Sequence, residues 1–177
     1  RKNLGWEAGP FEIPSEVLNT WREVGARWSD TYDAWNKALD NSADKDLFKA
    51  ALKKDKSEKV GASIKDAKNH FLSEKPKMAT RQTSGTVLEY LVPEIKELIG
   101  GSADLTGSNN TRVKGFEDGI SSQNGYQGRY IYYGVREHGM AAIMNGMSLY
   151  GGIIPYSGTF LQFSDYCRPS LRLAALM

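Results

Sequence analysis

The first forty residues place apolar side chains three or four positions apart. This spacing puts them on one face of a helix that follows Pro14. The members of this face, called the aromatic stripe below, are Val17, Trp21, Val24, Trp28, Tyr32, Trp35 and Leu39. Because an apolar helix face usually packs against another element, the pattern predicts that the stripe is buried.

A second helix and a charged stretch follow the aromatic stripe. Residues 42–55 show helical spacing after Ser42, a residue type favoured as an N-cap. Residues 55–77 are rich in lysine and only weakly periodic, which favours a solvated linker that runs to about Pro76. We therefore predict a helical connector over residues 1–78.

Helical and strand patterns alternate from residue 79 to the end of the chain. Such alternation favours an α/β fold, a mostly parallel sheet with flanking helices, over residues 79–177. The predicted helices are 80–95 (ended near Pro93), 137–151 and 159–177, and the predicted strands are 96–105, 129–134 and 152–158. A long polar loop is predicted over 106–128, called the polar segment below, and structureless loops of this length are usually functional or disordered.

Composition and charge exclude several classes of protein. The 177 residues are 40% hydrophobic, which suits one domain of ordinary size or one domain with an appendage, and the net charge of +2 gives no reason to expect nucleic-acid binding. No run of apolar residues is long enough for a membrane helix, and no signal peptide is recognised. The single Cys167 fits a reducing compartment such as the cytoplasm.

Both ends of the chain lead us to expect a piece of a longer protein. The first residue is Arg1 and not methionine, and the last residues, "SLRLAALM", form an apolar helical pattern without a stop signal.

Polar and aromatic residues follow each predicted strand. Asp104 and Ser108 come after "ELIGG" (97–101) of the first strand, Glu137 follows the second, and Thr159 and Phe160 follow the third. The carboxyl ends of parallel strands share one edge of the sheet, and ligands bind outside that edge. The sequence therefore predicts a binding site there.

Glu137 allows two interpretations. An acid in the first turn of a helix interacts favourably with the helix dipole, by about 0.3–1 kcal/mol, and this requires no further role. However, the apolar residues on both sides of Glu137 imply burial, and a buried carboxylate needs a partner or a proton. A buried acid at a strand end is therefore also a functional candidate.

Other candidates are equally ambiguous when each is considered alone. Phe160, Phe163 and Tyr166 recur every three residues, which fits either a core-facing helix side or an aromatic clamp for a flat ring. Arg81 and Ser108 are either an ordinary surface arginine and turn serine or a pair that binds phosphate.

Several long stretches resemble transketolase, a thiamine-diphosphate enzyme. They are "GGSADLTGSNNT" (100–111), "RYIYYGVREHGMAAIMNGMSLYGG" (129–152) and "YSGTFLQFSDYCRPSLRLAALM" (156–177), with "GWEAGPFEIPSEV" (5–17) similar to the segment before the family's middle domain. The resemblance implies an incomplete thiamine-diphosphate-binding fold: a connector and most of the pyrimidine-binding domain, truncated at its C-terminus. It implies transfer of a two-carbon ketol unit from a ketose phosphate to an aldose phosphate. Dihydroxyacetone synthase and a non-catalytic interaction module of the same fold are the alternatives.

The resemblance also implies roles for individual residues. Glu137 matches the glutamate that hydrogen-bonds N1′ of the cofactor's aminopyrimidine, and Phe163 matches the ring that stacks on it. The other implied positions are Phe160 and Tyr166 around the same ring, Asp104 on the thiazolium side, and Arg81 and Ser108 at the substrate's phosphate.

The resemblance further implies partners that this chain does not supply. In transketolases the ligands of the diphosphate and of its Mg²⁺ or Ca²⁺ belong to the preceding domain, and the cofactor lies between the two subunits of a homodimer. These features imply that the 177 residues alone are inactive, and they imply neither a nucleic-acid nor a membrane partner.

Overall fold

The computed structural model describes residues 1–53, 56–114 and 119–177, which form two compact units, Arg1–Leu47 and Phe48–Met177. Residues 54–55, where the predicted second helix meets the predicted linker, and residues 115–118 of the polar segment lie outside the described residues. Within the described ranges, no helix is both long enough and apolar enough to cross a membrane.

The first unit contains two helices where the periodicity predicts one. These are α1 (Ser15–Ala26) and α2 (Ser29–Asp40), and a third helix, α3 (Lys45–Leu52), spans the division between the units. Gly25 weakens the end of α1, and Ser29 with Asp30 favours a new helix start after Trp28.

The prediction that the aromatic stripe is buried is wrong. Neither α1 nor α2 buries a residue, and Trp21 is 72% exposed. Trp28, Tyr32 and Trp35 are exposed as well. An apolar face predicts packing only if another element covers it, and periodicity within one helix carries no information about that element.

The prediction of a solvated linker over 55–77 is also wrong, because most of this stretch is α4 (Ser57–Glu74). This helix packs beside α5 (Thr80–Glu94), with Ser63 and Ala67 buried. The hydroxyl of Ser63 donates to the Lys59 carbonyl at 2.9 Å, so its burial leaves no polar group unpaired. Small residues form the buried face, which explains why the stretch shows little hydrophobic periodicity.

The second unit contains the predicted parallel sheet with helices between the strands. The sheet has the order β2-β1-β3, and both pairings are parallel. The elements are β1 (Leu98–Ser102), α6 (Thr106–Asn109), β2 (Tyr130–Tyr132), α7 (Glu137–Tyr150), β3 (Ile154–Pro155) and α8 (Ser164–Leu176). The prediction of one long loop over the polar segment is wrong in part, because its described residues include α6 and a 3₁₀ turn at Ser122–Asn124. The α/β prediction is confirmed.

Two glycines in β1 allow aromatic rings to pack directly on the strand. A Cβ added at Gly100 would overlap the ring of Tyr156, and one at Gly101 would overlap the ring of Tyr133. Neighbouring strand residues face opposite sides of a sheet, so the two tyrosines cover opposite faces of β1. Accordingly, Tyr133 belongs to one buried cluster and Tyr156 packs against another.

A mostly buried ion pair connects the start of α4 to the residue before β1. The Nζ atom of Lys56 lies 2.6 Å from Oε1 of Glu97, and the two side chains are 13% and 15% exposed. Burial raises the pKa of Glu97. The hydrogen bonds from Lys56 and from the backbone of Glu97, together with the charges of Lys56 and Lys59, lower this pKa by more than burial raises it. The net result is a pKa below the ordinary value of 4.5.

The lowered pKa of Glu97 predicts a pH-dependent contribution to stability. Because the pKa of Glu97 is lower in the folded state than in the unfolded state, its contribution to stability is complete above about pH 5. This contribution is lost as the pH falls through the folded-state pKa. We expect the difference in unfolding free energy between the wild type and Glu97→Gln to shrink as the pH falls from about 7 to about 2.5. Urea unfolding at several pH values measures this, and a constant difference over the whole range contradicts it.

Candidate functional site

Two cavities open beside the carboxyl ends of the parallel strands. The first, called the Glu137 cavity, has a volume of about 510 Å³. The second, called the Arg81 cavity, has a volume of about 640 Å³. Residues that follow β1 and β2 line the first, and residues from α5, α6 and the segment after β3 line the second.

The structure divides the predicted site residues between these two cavities. Glu137, Asp104, Phe163 and Tyr166 line the Glu137 cavity. Arg81, Ser108 and Phe160 line the Arg81 cavity. The ring of Phe160 nevertheless stacks on that of Phe163, with centroids 6.0 Å apart, so the aromatic residues connect the two cavities.

Glu137 is the first residue of α7, and its position follows from the turn after β2. Gly134 has a φ of +68°, a conformation that favours glycine. Nη1 of Arg136 donates to the Tyr133 carbonyl at 2.9 Å, so this carbonyl oxygen after β2 has a hydrogen-bond partner. The chain then enters α7 with the Glu137 side chain turned into the cavity.

The carboxylate of Glu137 has no partner among the described residues. The residue is only 8% exposed, and no hydrogen bond or ion pair from any described part of the chain reaches its carboxylate. The carboxylate oxygens are not fully enclosed, because the residue lines the open cavity. The start of α7 stabilises an acidic group at this position through the helix dipole. The geometry therefore leaves the carboxylate available to a ligand in the cavity.

Cys167 contacts the backbone of Glu137. Its buried thiol donates to the Glu137 backbone carbonyl over 3.4 Å. Burial raises the pKa of this thiol, and the negative charge of Glu137 raises it further. The thiol therefore stays protonated at neutral pH and acts as part of the packed wall, a role that the sequence analysis did not assign.

The three aromatic residues line the cavities and do not enter the core. A 3₁₀ turn at Leu161–Phe163 leads into α8, and a repeat of three residues per turn keeps the rings on one side. Phe163 and Tyr166 stack with centroids 6.2 Å apart and an interplanar angle of 24°. Since Phe160 and Tyr166 are both exposed, this arrangement favours the clamp interpretation over core packing.

Asp104 is held in an unusual backbone conformation at the end of β1. Its φ is +63°, which non-glycine residues adopt rarely and aspartate more readily than most. Next to it, the fully buried Ser102 donates its hydroxyl hydrogen to the Gly158 carbonyl at 3.0 Å and accepts from the Leu105 amide at 3.1 Å. Ser102, which sequence reasoning missed, therefore joins the ends of β1 and β3 at the rim.

Arg81 and Ser108 come from two helices that approach each other closely. Arg81 lies in the first turn of α5, and Ser108 lies in α6. A Cβ added at Gly85 of α5 would lie 3.0 Å from Cβ and 3.1 Å from the carbonyl oxygen of Asn110. The glycine therefore permits the close packing that places both polar side chains on the Arg81 cavity.

Two further polar groups line the Arg81 cavity. Nδ2 of Asn109 and Oγ1 of Thr159 are buried, and neither atom has a hydrogen-bond partner among the described residues. The sequence placed Thr159 at the rim but did not indicate Asn109, because one asparagine in a polar segment looks like another. Unpaired buried donors in a cavity suit an acceptor-rich ligand.

The two cavities are suited to different ligands. The Glu137 cavity combines stacked rings, apolar walls and a carboxylate that has no partner within the described ranges, which suits a flat heteroaromatic ring with a nitrogen that can share a proton. The Arg81 cavity offers a guanidinium and hydroxyl groups, which suit an anion. In the described ranges, no three His, Cys, Asp or Glu side chains lie close enough together to hold a metal ion.

Comparison with known proteins connects this chain to one family. Residues 76–177 match the family described as "Transketolase, pyrimidine binding domain". The whole chain is similar to a transketolase of Cereibacter sphaeroides, with 46% identity over 178 residues that are 26% of that protein. A transketolase of Sinorhizobium medicae is 44% identical over 177 residues, 25% of its length. The chain thus spans about a quarter of these relatives.

Solved structures show the same similarity. A transketolase from Campylobacter jejuni matches 99% of this chain and 26% of its own, with a TM-score of 0.76 and 30% identity. A transketolase from Pichia stipitis, in complex with sedoheptulose 7-phosphate, matches 95% of this chain and 26% of its own, with a TM-score of 0.70 and 35% identity.

Proposed function

This chain belongs to the transketolase family, and we propose that it supplies the aminopyrimidine half of a thiamine-diphosphate site in an enzyme that transfers two-carbon ketol units between sugar phosphates. The observation that carries this proposal is the side chain of the buried Glu137, whose carboxylate has no partner among the described residues, beside the stacked rings of Phe163 and Tyr166. Activity, substrates and assembly belong in this proposal to a longer protein of which the chain is a part.

The residues of the Glu137 cavity fit the aminopyrimidine ring. Phe163 offers a ring face for stacking, with Phe160 and Tyr166 beside it. Glu137 would share a proton between a carboxyl oxygen and the ring nitrogen N1′ of the bound cofactor, and Asp104 would face the thiazolium side. When bound, thiamine diphosphate supplies the electron sink for breaking and forming the carbon–carbon bond.

The walls of the cavity strengthen this hydrogen bond. Ala103, Leu105 and Val135 line the cavity with apolar groups, which lowers the local dielectric and weakens the competition from water. In such surroundings a carboxyl group that shares a proton with a ring nitrogen contributes more than it does in water. The role of Glu137 is thus to hold and shift one proton at one defined atom of the cofactor.

The Arg81 cavity is proposed to bind the phosphate of the sugar substrate. Arg81 supplies the positive charge and a planar pair of donors, and Ser108 supplies a hydroxyl. Asn109 and Thr159 add the buried donors that lack partners in the described chain. The Pichia stipitis relative was solved with a sugar phosphate, and this supports the choice of ligand.

The assignment of Arg81 predicts a change in substrate affinity. Arg81→Ala in the full enzyme is expected to raise KM for a ketose phosphate by about 10- to 100-fold, because a charged hydrogen-bond donor is lost, and to leave kcat nearly unchanged. Steady-state kinetics with phosphorylated and non-phosphorylated ketoses measure the effect. Arg172→Ala, an exposed arginine of α8, is the matched control. An equal rise in KM for the non-phosphorylated ketose contradicts the assignment.

Further features of the proposal concern assembly and location. We propose a homodimer in which the partner subunit supplies the ligands of the diphosphate and of Mg²⁺ or Ca²⁺. The apolar Val135, 76% exposed at the Glu137 cavity, supports the idea that the partner subunit covers the cavity there.

We also propose that the pyrimidine-binding domain begins near residue 79, and the family match from residue 76 supports this boundary. We propose further that the protein is cytoplasmic, which the free Cys167 supports.

A further inference from the structure

We propose that the hydroxyl of Tyr130 is a positioning group that sets the affinity of the Arg81 cavity for phosphate. This inference rests on the proposed function, because it concerns how the phosphate-binding residues are held. Tyr130 is the first residue of β2, and it is fully buried. It touches neither cavity, so any effect on ligand binding must act through other residues.

The Tyr130 hydroxyl holds both ends of the segment that carries Ser108. It donates to Oγ1 of Thr106 at 3.0 Å. It also lies 2.6 Å from Oγ1 of Thr111. A phenol has one hydrogen to donate, so Thr111 is the donor in this second bond. Thr106 and Thr111 enclose Ser108 and Asn109, and one hydroxyl therefore fixes the turn between them.

Two other contacts hold the same turn against its surroundings. The hydroxyl of Tyr156 donates to the Thr111 carbonyl at 2.9 Å. Asn110 has a φ of +53° and packs against Gly85 of α5, the helix that carries Arg81. The turn therefore has one well-defined position relative to Arg81, and a phosphate contacted by both Arg81 and Ser108 requires that position.

The hydroxyl, more than the ring, performs this role. Burial raises the pKa of Tyr130, despite the opposing effect of the bonds to Thr106 and Thr111, so the group keeps its hydrogen at neutral pH. Phenylalanine would fill the same space in the core. It would leave the two threonine hydroxyls without their shared partner and free the turn to move.

The test compares Tyr130→Phe with the wild type in the full enzyme, using inorganic phosphate as the probe. We expect the inhibition constant of inorganic phosphate and KM for a ketose phosphate both to rise about tenfold, which corresponds to the loss of about one buried hydrogen bond. We expect kcat, KM for a non-phosphorylated ketose and the affinity for thiamine diphosphate to stay unchanged. Tyr132→Phe is the matched control, since Tyr132 is an exposed residue whose hydroxyl accepts from Arg112 and contacts neither threonine in the described structure.

The possible outcomes separate this inference from the proposed function. If Arg81→Ala does not weaken phosphate binding, the phosphate site itself is wrong. If Arg81→Ala weakens phosphate binding and Tyr130→Phe does not, the positioning role is overturned. An equal loss for phosphorylated and non-phosphorylated ketoses overturns it too, because it indicates general damage to the fold. If Tyr130→Phe fails to fold, Thr106→Val and Thr111→Val are judged by the same criteria.

Discussion

Glu137→Gln is expected to lower the rate of ketol transfer by the full enzyme by about 100-fold or more, the range for losing a group that transfers a proton. Glutamine fills nearly the same volume, so the cavity and its stacked rings should remain. What is lost is the shared proton between a carboxyl oxygen and the ring nitrogen. The affinity for thiamine diphosphate should fall less than the rate, by about tenfold, because ring stacking persists.

Two measurements make this prediction specific. The first is a cofactor analogue with CH in place of N1′. It should cost the wild type most of its activity but cost Glu137→Gln little more, because the two changes disable the same proton transfer. The second is Glu58→Gln as a control, since Glu58 also lies in the first turn of a helix but is exposed and lines neither rim cavity. Independent, additive effects of the analogue and the Glu137 variant contradict the assignment.

Gly101→Ala is expected to destabilise the protein by about 3 kcal/mol or more, which corresponds to a fall in Tm of roughly 6–12 °C. The added Cβ would overlap the Tyr133 ring and lie 2.8 Å from the Ile131 carbonyl oxygen. Gly101 pairs with Ile131 across the parallel strands, so that oxygen cannot move without disturbing the centre of the sheet. Thermal unfolding followed by circular dichroism measures the change.

The matched control is Gly61→Ala in α4. A Cβ at Gly61 meets no atom within 4 Å, and alanine is favoured over glycine inside a helix by about 0.5–1 kcal/mol. We therefore expect this variant to be slightly more stable than the wild type. If both variants change Tm equally, the close packing of rings on β1 is not what constrains Gly101.

The sequence predicted the second unit better than the first. Strand and helix patterns alternate clearly after residue 79, and each predicted strand contains an observed one. In α4 the same reasoning failed, because the buried face consists of Ser63 and Ala67, which carry no strong hydrophobic signal. In α1 and α2 it failed for the opposite reason, since a strong apolar pattern there remains exposed.

For the candidate site, sequence reasoning located residues but not their grouping. It placed Glu137 after a strand and at the start of a helix, as the structure has it. It did not separate the Glu137 cavity from the Arg81 cavity, because that separation depends on where α6 and the 3₁₀ turn before α8 pack. It also missed Asn109 and Ser102, whose importance lies only in what surrounds them.

The sequence alone therefore determined the alternation of strands and longer helices after residue 79 and the residues that follow each strand, because alternation and helical spacing are local properties of the chain. Only the tertiary structure decided which of those residues share a cavity, that the Glu137 carboxylate has no partner among the described residues, and that one tyrosine hydroxyl holds the turn carrying Ser108. Such features depend on contacts between residues far apart in sequence, and no local pattern encodes them.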